Sequence, residues 1–330
     1  MSDQDSPSRF VSDEAADDVV TPFAVEALDV RGRVARLGPS IDTIIRRHGY
    51  PEPVGRLLGE GAALAALLAS ALKFEGRFQV QTRTDGAVDL MVVDVDAPDR
   101  LRAFARFDAA RLAAGEPLLG KGHFGLTVDP GAGMNRYQGV VAMSGQSLQD
   151  AAETYFAQSE QIPTVVRLAV GEVATTQGQM WRAGGFLAQF LPESVERRQR
   201  DAPPGDAPQG HAAHVAPEDE AWQEAKALSM TVEAHELVDP TVSSERLLYR
   251  LFHERGVKVF EPQRVIEKCR CSNEGVEEML RRFMPAERRE MVGDDGKISV
   301  TCEFCSTRRV YEPGEFDTRK AEGEGDDASV

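Results

Sequence analysis

Apolar and polar positions follow two different periods in the first part of the chain. Residues 54–72 are almost continuously apolar or small, which predicts a buried helix. Residues 78–81 then alternate between apolar and polar types, Asp85-Gly86 supplies a tight turn, and residues 88–92 alternate again. Alternation on both sides of an Asp-Gly pair is typical of a β-hairpin.

The alternating pattern continues and is interrupted by helix signals. Further strands are predicted at 124–128, 137–143, 165–170 and 186–191. Ser147 and Asp150 form the capping signature of a short helix between them. Runs of hairpins with interspersed helices are typical of the α+β class. We therefore predict an N-terminal α+β domain at 21–192, with a mostly antiparallel sheet and packed helices.

The composition changes after this domain. Pro, Gly and charged residues dominate 193–217, as is typical of a linker. A helix is predicted at 217–234, with apolar residues around Trp222 on one side and a highly charged opposite face. Such a helix is stable only when it is docked, so we predict a conditionally ordered helical linker over 193–242. A short apolar helix at 243–254 then leads into the C-terminal region.

Net charge narrows the classes of partner. The 330 residues include 38 Lys and Arg against 54 Asp and Glu, a net charge of −16. Nucleic acids and anionic membranes both need a basic face, so neither is expected as a partner. No segment is long and apolar enough to span a membrane, and no targeting signal is recognised, which predicts a cytoplasmic protein. Disordered acidic tails are predicted at 1–20 and 314–330.

The cysteines form the strongest chemical signal. All four lie within 37 residues, as a C-x-C pair and a C-x-x-C pair: Cys269, Cys271, Cys302 and Cys305. Two close pairs that are distant in sequence can converge on one tetrahedral Zn²⁺ ion. We predict a small zinc-binding redox-switch domain at 243–313. Four thiolates leave no open position for water, which argues against a zinc hydrolase and, with no other catalytic arrangement found, against an enzyme.

The spacing of the cysteines also suggests redox chemistry. If an oxidant converts one thiolate to a sulfenic acid, the neighbouring thiol can condense with it. The expected products are the Cys269–Cys271 and Cys302–Cys305 disulfides, which no longer hold the metal as thiolates do. Structural zinc contributes ~10–16 kcal/mol to small modules. Oxidation is therefore predicted to unfold this one.

Several segments resemble one known family. The cysteine pattern, residues 136–139 (RYQG), 155–161 (YFAQSEQ) and 247–254 (LLYRLFHE) are similar to the thirty-three-kilodalton heat-shock proteins, which are bacterial redox-regulated holdase chaperones. The resemblance covers about 23–313, although the Pro/Gly/His-rich stretch at 200–217 looks longer than the linker of that family.

The resemblance implies two states. In the reduced, inactive state the four cysteines bind one Zn²⁺. In the oxidised, zinc-free state the linker unfolds and exposes apolar surface. The active protein then forms a homodimer and binds unfolding client proteins without ATP, which protects them from aggregation during oxidative stress.

Two other functions are compatible with the residues themselves. The first is a constitutive zinc-ribbon adaptor that binds a protein or nucleic acid; residues 264–309 contain ten basic and nine acidic side chains, so no basic excess supports nucleic acid. The second is a thiol–disulfide oxidoreductase that uses Cys302 and Cys305. The absence of a thioredoxin-like βαβ pattern argues against the second.

Overall fold

The computed structural model describes residues 16–71, 76–131, 135–175, 178–191 and 219–316. Most of the predicted acidic tails and the Pro/Gly/His-rich stretch at 200–217 lie outside these residues. The chain divides into two compact units, one ending at Lys268 and the other beginning at Cys269.

The first unit is built on two six-stranded sheets. The first sheet contains β1 (Val19–Val25), β2 (Val30–Leu37), β8 (Thr164–Thr175), β9 (Gly178–Phe190), β10 (Lys258–Val259) and β11 (Gln263–Arg264). The second sheet contains β3 (Arg77–Thr84), β4 (Val88–Asp96), β5 (Arg100–Phe107), β6 (Lys121–Asp129), β7 (Tyr137–Ser144) and β12 (Ile266–Glu267).

Strand order confirms the predicted antiparallel α+β fold. The first sheet runs β10-β1-β2-β9-β8, with β11 also beside β1, and the second runs β12-β5-β4-β3-β6-β7. In the part of the chain that is described, the β12–β5 pair is parallel and the other strand pairs are antiparallel. The predicted hairpin around Asp85-Gly86 is β3–β4, and the predicted strands at 165–170 and 186–191 are the long hairpin β8–β9.

Seven α-helices of the first unit lie in the described ranges. They are α1 (Pro39–His48), α2 (Glu52–Ala69), α3 (Ala109–Ala113), α4 (Leu148–Tyr155), α5 (Glu220–Met230), α6 (Ala234–Val238) and α7 (Ser244–Phe252). Ser147 caps α4 by accepting a hydrogen bond from the Asp150 amide at 3.2 Å, as predicted. A π-helical turn, Phe156–Glu160, continues α4. None of the helices described combines the length and the apolar character that crossing a bilayer requires.

Helix α2 lies between the two sheets and shares one core with both. Glycines allow this close approach: a Cβ at Gly59 would meet Val170 of β8 at 2.8 Å, and one at Gly61 would meet Met91 of β4 at 2.8 Å. Between them lies Glu60, whose pKa is raised to about 7 by burial. The helix predicted at 54–72 is therefore confirmed as α2, Glu52–Ala69, whose apolar residues pack against both sheets.

The opposite face of the first sheet is covered by α5, α6 and α7. Trp222 of α5 packs on Phe190 of β9, with ring centroids 5.9 Å apart, and Phe252 of α7 packs on Phe23 of β1 at 5.8 Å. These residues form a second apolar core, separate from that around α2. Both faces of the first sheet are therefore buried. The single helix predicted at 217–234 is α5 followed by the start of α6, because buried Val232 lies in the turn between them.

Arg36 of β2 ties this helical layer to the sheet. Its side chain is 1% exposed and donates hydrogen bonds to the carbonyl oxygens of Glu236 at 2.9 Å and Leu237 at 3.1 Å, and to Oγ of Ser244 at 3.3 Å. These carbonyls lie near the end of α6, where helical oxygens lack internal partners. Burial lowers the pKa of Arg36 to about 10, so it remains charged at neutral pH.

The limits of the compact units differ from the predicted domain limits. Helix α7, placed by the sequence in the zinc-binding domain from residue 243, packs in the core of the first unit. Strand β1 begins at Val19, inside the predicted tail at 1–20, because Val20 belongs to the core around α2.

The second unit is small. Its described part, up to residue 316, contains α8 (Asn273–Arg281), α9 (Pro285–Glu290), the hairpin of β13 (Ile298–Thr301) and β14 (Arg308–Tyr311), and a 3₁₀ turn at Pro313–Phe316. Within these residues the apolar core consists of four buried side chains: Leu280, Ile298, Tyr311 and Phe316. A core of this size contributes little stability, so such a unit needs a disulfide, a metal or a partner.

We expect Arg36→Met to loosen the helical layer, because it leaves the α6 carbonyls without their charged donor. Hydrogen bonds to a charged group contribute ~1.5–3 kcal/mol, so opening of α6 should become easier by about that amount. Hydrogen–deuterium exchange of the α6 amides measures this. Arg106→Met is the control, since Arg106 forms an exposed surface pair with Asp89. Equal exchange in the two variants would show that Arg36 does not hold α6.

Candidate metal centre

The C-x-x-C pair lies in the turn between β13 and β14. The amide of Cys302 donates to the carbonyl of Thr307 at 3.1 Å, and the amide of Ser306 donates to the carbonyl of Cys302 at 2.8 Å. Ser306 adopts the left-handed conformation, with φ of 52°. This tight turn brings the side chains of Cys302 and Cys305 to one site.

The C-x-C pair meets them just before α8. Ser272 directly follows the pair and caps α8, accepting a hydrogen bond from the Gly275 amide at 3.0 Å. Sγ of Cys269 lies 3.7 Å from Sγ of Cys302, and Sγ of Cys271 lies 3.3 Å from Sγ of Cys305. The structure thus brings all four predicted cysteines together.

The spacing of the sulfurs fits a tetrahedral metal ion. A Zn–S bond of ~2.3 Å in a tetrahedron separates neighbouring sulfurs by ~3.8 Å. All four sulfurs here lie within 4.8 Å of one another. The cluster can therefore hold one metal ion with four thiolate ligands.

Two neighbouring side chains adjust the charge of the cluster. Arg309 of β14 places Nη2 3.4 Å from Sγ of Cys271, while its Nε donates to Oδ1 of Asn273 at 2.7 Å. Oγ1 of Thr307 lies 3.2 Å from Sγ of Cys305. A guanidinium at this position would offset part of the negative charge of metal-bound thiolates, as partners of metal ligands commonly do. The sequence did not identify these two roles, which only the pairing of the hairpin reveals.

The cysteines differ in how readily they ionise. Burial raises the pKa of Cys269 to about 12 and also raises the pKa of Cys271. Burial also opposes ionisation of Cys305, but hydrogen bonds with the hydroxyl and amide of Thr307 and with the other thiols outweigh it and lower its pKa to about 6. Cys305 therefore ionises more readily than Cys269 and Cys271, which favours metal binding because a metal ion binds cysteine as the thiolate.

Comparisons with known proteins agree with this fold and site. The model of the Hsp33 protein family matches residues 18–312. The 33 kDa chaperonin of Caulobacter vibrioides is 47% identical over 304 residues, which is 89% of this chain and 94% of that protein. The 33 kDa chaperonin of Pseudomonas paraeruginosa is 35% identical over 316 residues, 94% of this chain and 93% of that protein.

A solved structure shares the fold. The crystal structure of the 33 kDa chaperonin from Thermotoga maritima superposes with a TM-score of 0.69 at 19% identity, covering 91% of this chain and 97% of that one. Fold and site define a protein with an α+β unit and a small four-cysteine module. The chain belongs to the Hsp33 family, as its sequence motifs predicted.

We expect Cys269→Ser to weaken metal binding by more than about a hundredfold, because a serine hydroxyl is not ionised and replaces a thiolate poorly. Competition with a chromogenic chelator, with Zn²⁺ as the probe, measures the affinity. Thr301→Ala is the control, since Thr301 is exposed and adjacent to Cys302. Unchanged Zn²⁺ affinity in Cys269→Ser would show that Cys269 is not a ligand.

Proposed function

We propose that this chain is a redox-regulated, ATP-independent holdase chaperone that protects unfolding proteins from aggregation during oxidative stress. The observation that carries the proposal is the cluster of four sulfurs within 4.8 Å of one another, in a unit with only four buried core side chains in its described part. The 33 kDa chaperonins are relatives over most of the chain, which supports a chaperone role.

In the reduced state, Cys269, Cys271, Cys302 and Cys305 would bind one Zn²⁺. The four thiolates would each bond to the ion, and these bonds would stabilise a unit whose described part has a small apolar core. Structural zinc contributes ~10–16 kcal/mol in such modules. Arg309 and Thr307 would hold two of the sulfurs in place around it.

Oxidation would remove the metal. A thiolate attacks a peroxide, the O–O bond breaks, and the products are a sulfenic acid and, after protonation, water. The neighbouring thiol then attacks the sulfenic sulfur, which forms the S–S bond and releases a second water. One peroxide is consumed for each disulfide.

The pairing of the disulfides decides whether the module opens. The site has two halves, the C-x-C pair and the C-x-x-C pair. The Cys269–Cys271 and Cys302–Cys305 disulfides each form within one half, so the two halves can separate once the zinc has left. Bonds between Cys269 and Cys302, or between Cys271 and Cys305, would join the two halves covalently and constrain the unfolded chain. Our proposal requires the pairing within each half.

The helices α5 to α7 would be the segment that the module controls. They cover an apolar face of the first sheet, which includes Phe23, Phe186 and Phe190. Release of these helices would expose several hundred Å² of apolar surface, the scale on which exposed patches bind other proteins. We propose this face as the surface that binds unfolded clients.

The functional regions, the oligomeric state and the cellular location are proposed from the family resemblance. We propose functional regions at 21–192 for clients, 193–242 for the conditional linker and 243–313 for the switch, with acidic tails at 1–20 and 314–330. Two of these limits shift with the structure, because α7 would be released with the linker and the N-terminal tail ends before β1 begins at Val19. We further propose that the oxidised protein is a homodimer and that the protein is cytoplasmic. No enzymatic activity, nucleic acid or membrane is part of the proposed function.

Peroxide treatment tests the whole proposal. On oxidation, the zinc-loaded protein should release one Zn²⁺, lose four free thiols and begin to suppress light scattering from a heat-unfolding test protein without ATP. Disulfide mapping should find Cys269–Cys271 and Cys302–Cys305. The same protein kept in reductant is the control.

Other outcomes would contradict it. Binding of a partner that is lost on oxidation would favour a constitutive zinc-ribbon adaptor. Disulfides that join the C-x-C pair to the C-x-x-C pair, or zinc release without holdase activity, would overturn the proposed switch.

Ala225→Asp should activate the reduced, zinc-loaded protein. Ala225 of α5 is fully buried, and a carboxylate there cannot remain docked against the sheet. Ala227→Asp on the same helix is the matched control, because Ala227 is exposed. Light scattering of the test protein and Zn²⁺ content are measured together. We expect Ala225→Asp, but not Ala227→Asp, to show holdase activity while it keeps its zinc. If the helices of Ala225→Asp leave the sheet and the protein is still inactive, the covered face does not bind clients.

A further inference from the structure

A cavity of about 170 Å³ opens in the first unit at one end of the core around α2. Its apolar wall comes from both sheets and from the helices between them: Leu67, Phe78, Leu126, Val128, Phe156 and Leu187. An engineered cavity of ~150 Å³ with a similar lining binds benzene. The space is therefore enough for an apolar body of about six carbon atoms.

The guanidinium of Arg33 is the basic group in the cavity wall. Nε of Arg33, on β2, is buried and, among the residues described, has no hydrogen-bond partner. Burial lowers the pKa of this arginine, which reflects the cost of holding its charge away from water. Arg33 is partly buried as a whole, and no carboxylate among the described residues pairs with it, so part of its charge lies away from water without a counter-charge.

The other polar groups of the cavity wall are already engaged. Oε1 of Glu160 accepts hydrogen bonds from the hydroxyls of Tyr137 and Tyr155, each at 2.9 Å. No ion pair joins Glu160 to Arg33 within the described ranges. Arg33 thus provides the positive charge in the cavity wall, and guanidinium groups commonly bind carboxylates.

We propose that the cavity binds a small aliphatic carboxylate of about six carbon atoms, with the chain among the apolar side chains and the carboxylate on Arg33. The site is separate from the proposed client surface. Arg33 and Leu187 point to the α2 side of the first sheet, whereas their neighbours Val34 and Phe186 point to the side covered by α5 to α7. The inference goes beyond the proposed function and does not depend on it.

Isothermal titration calorimetry of the full-length, reduced, zinc-loaded protein tests the site, with hexanoate as the probe and hexanamide as its neutral counterpart. Hexanoate should bind at one site, about tenfold or more tightly than hexanamide, since only the carboxylate forms a charge-assisted pair. Arg33→Met should weaken hexanoate about tenfold and leave hexanamide unchanged. Arg83→Met, an exposed strand arginine outside the cavity, is the charge-matched control and should change neither.

Two further measurements test whether Arg33 has a structural role and whether the probes bind in this cavity. Arg33→Met should melt no lower than the parent protein, because it removes a partly buried charge that pairs with no carboxylate in the described part of the chain. A large loss of thermal stability would show that Arg33 has a structural role. Ala71→Phe at the exposed rim should weaken both probes, which locates them in this cavity. Absence of hexanoate binding, equal affinity for the two probes, or unchanged affinity in Arg33→Met would each overturn the proposal.

Discussion

The first sheet is apolar on both faces, and this constraint organises the rest of the molecule. Successive side chains of a strand point to opposite faces, so Phe186 belongs to one core and Leu187 to the other. Helix α2 covers one face from within the folded α+β core. Helices α5 to α7 cover the other from a segment that follows the Pro- and Gly-rich stretch of the chain. Each large side chain buried there contributes ~1.5–3 kcal/mol, so the second face needs an occupant whenever those helices leave.

The attachment of this layer is compatible with the release proposed above. Helix α5 buries Trp222 and Ala225 but has a charged outer side, and α6 has only five residues, too few to be stable alone. Arg36 adds hydrogen bonds to the carbonyls near the end of α6. Because α5 to α7 share one apolar core with this face of the sheet, they could leave it together. A switch of this kind requires the helices to dock well enough to cover the sheet and weakly enough to leave it.

Sequence patterns identified the elements that depend on local sequence and missed those that depend on tertiary contacts. The β3–β4 hairpin, α2 and the four cysteines follow from alternation, apolar content and spacing. Strand β1 was missed because it contains Pro22, a residue that is rare in strands with two neighbours. The carbonyl of Pro22 accepts a hydrogen bond from the Phe260 amide at 2.9 Å, just beyond the end of β10. The N–H that proline lacks is therefore not needed for the hydrogen bonds between β1 and β10. Helices α8 and α9 were missed because they are short and each buries a single side chain, Leu280 in α8 and Arg288 in α9.

Two arginines of β2 show why such roles cannot be predicted from residue type. Arg33 and Arg36 are three positions apart and so point to opposite faces of the same sheet. Arg36 meets backbone carbonyls and a serine hydroxyl, which makes it a structural link to α6. Arg33 meets an apolar cavity and no acceptor for its buried Nε among the described residues, which leaves its charge available to a ligand. The acceptor groups that surround each guanidinium, not the sequence around it, decide whether the charge stabilises the fold or prepares a site.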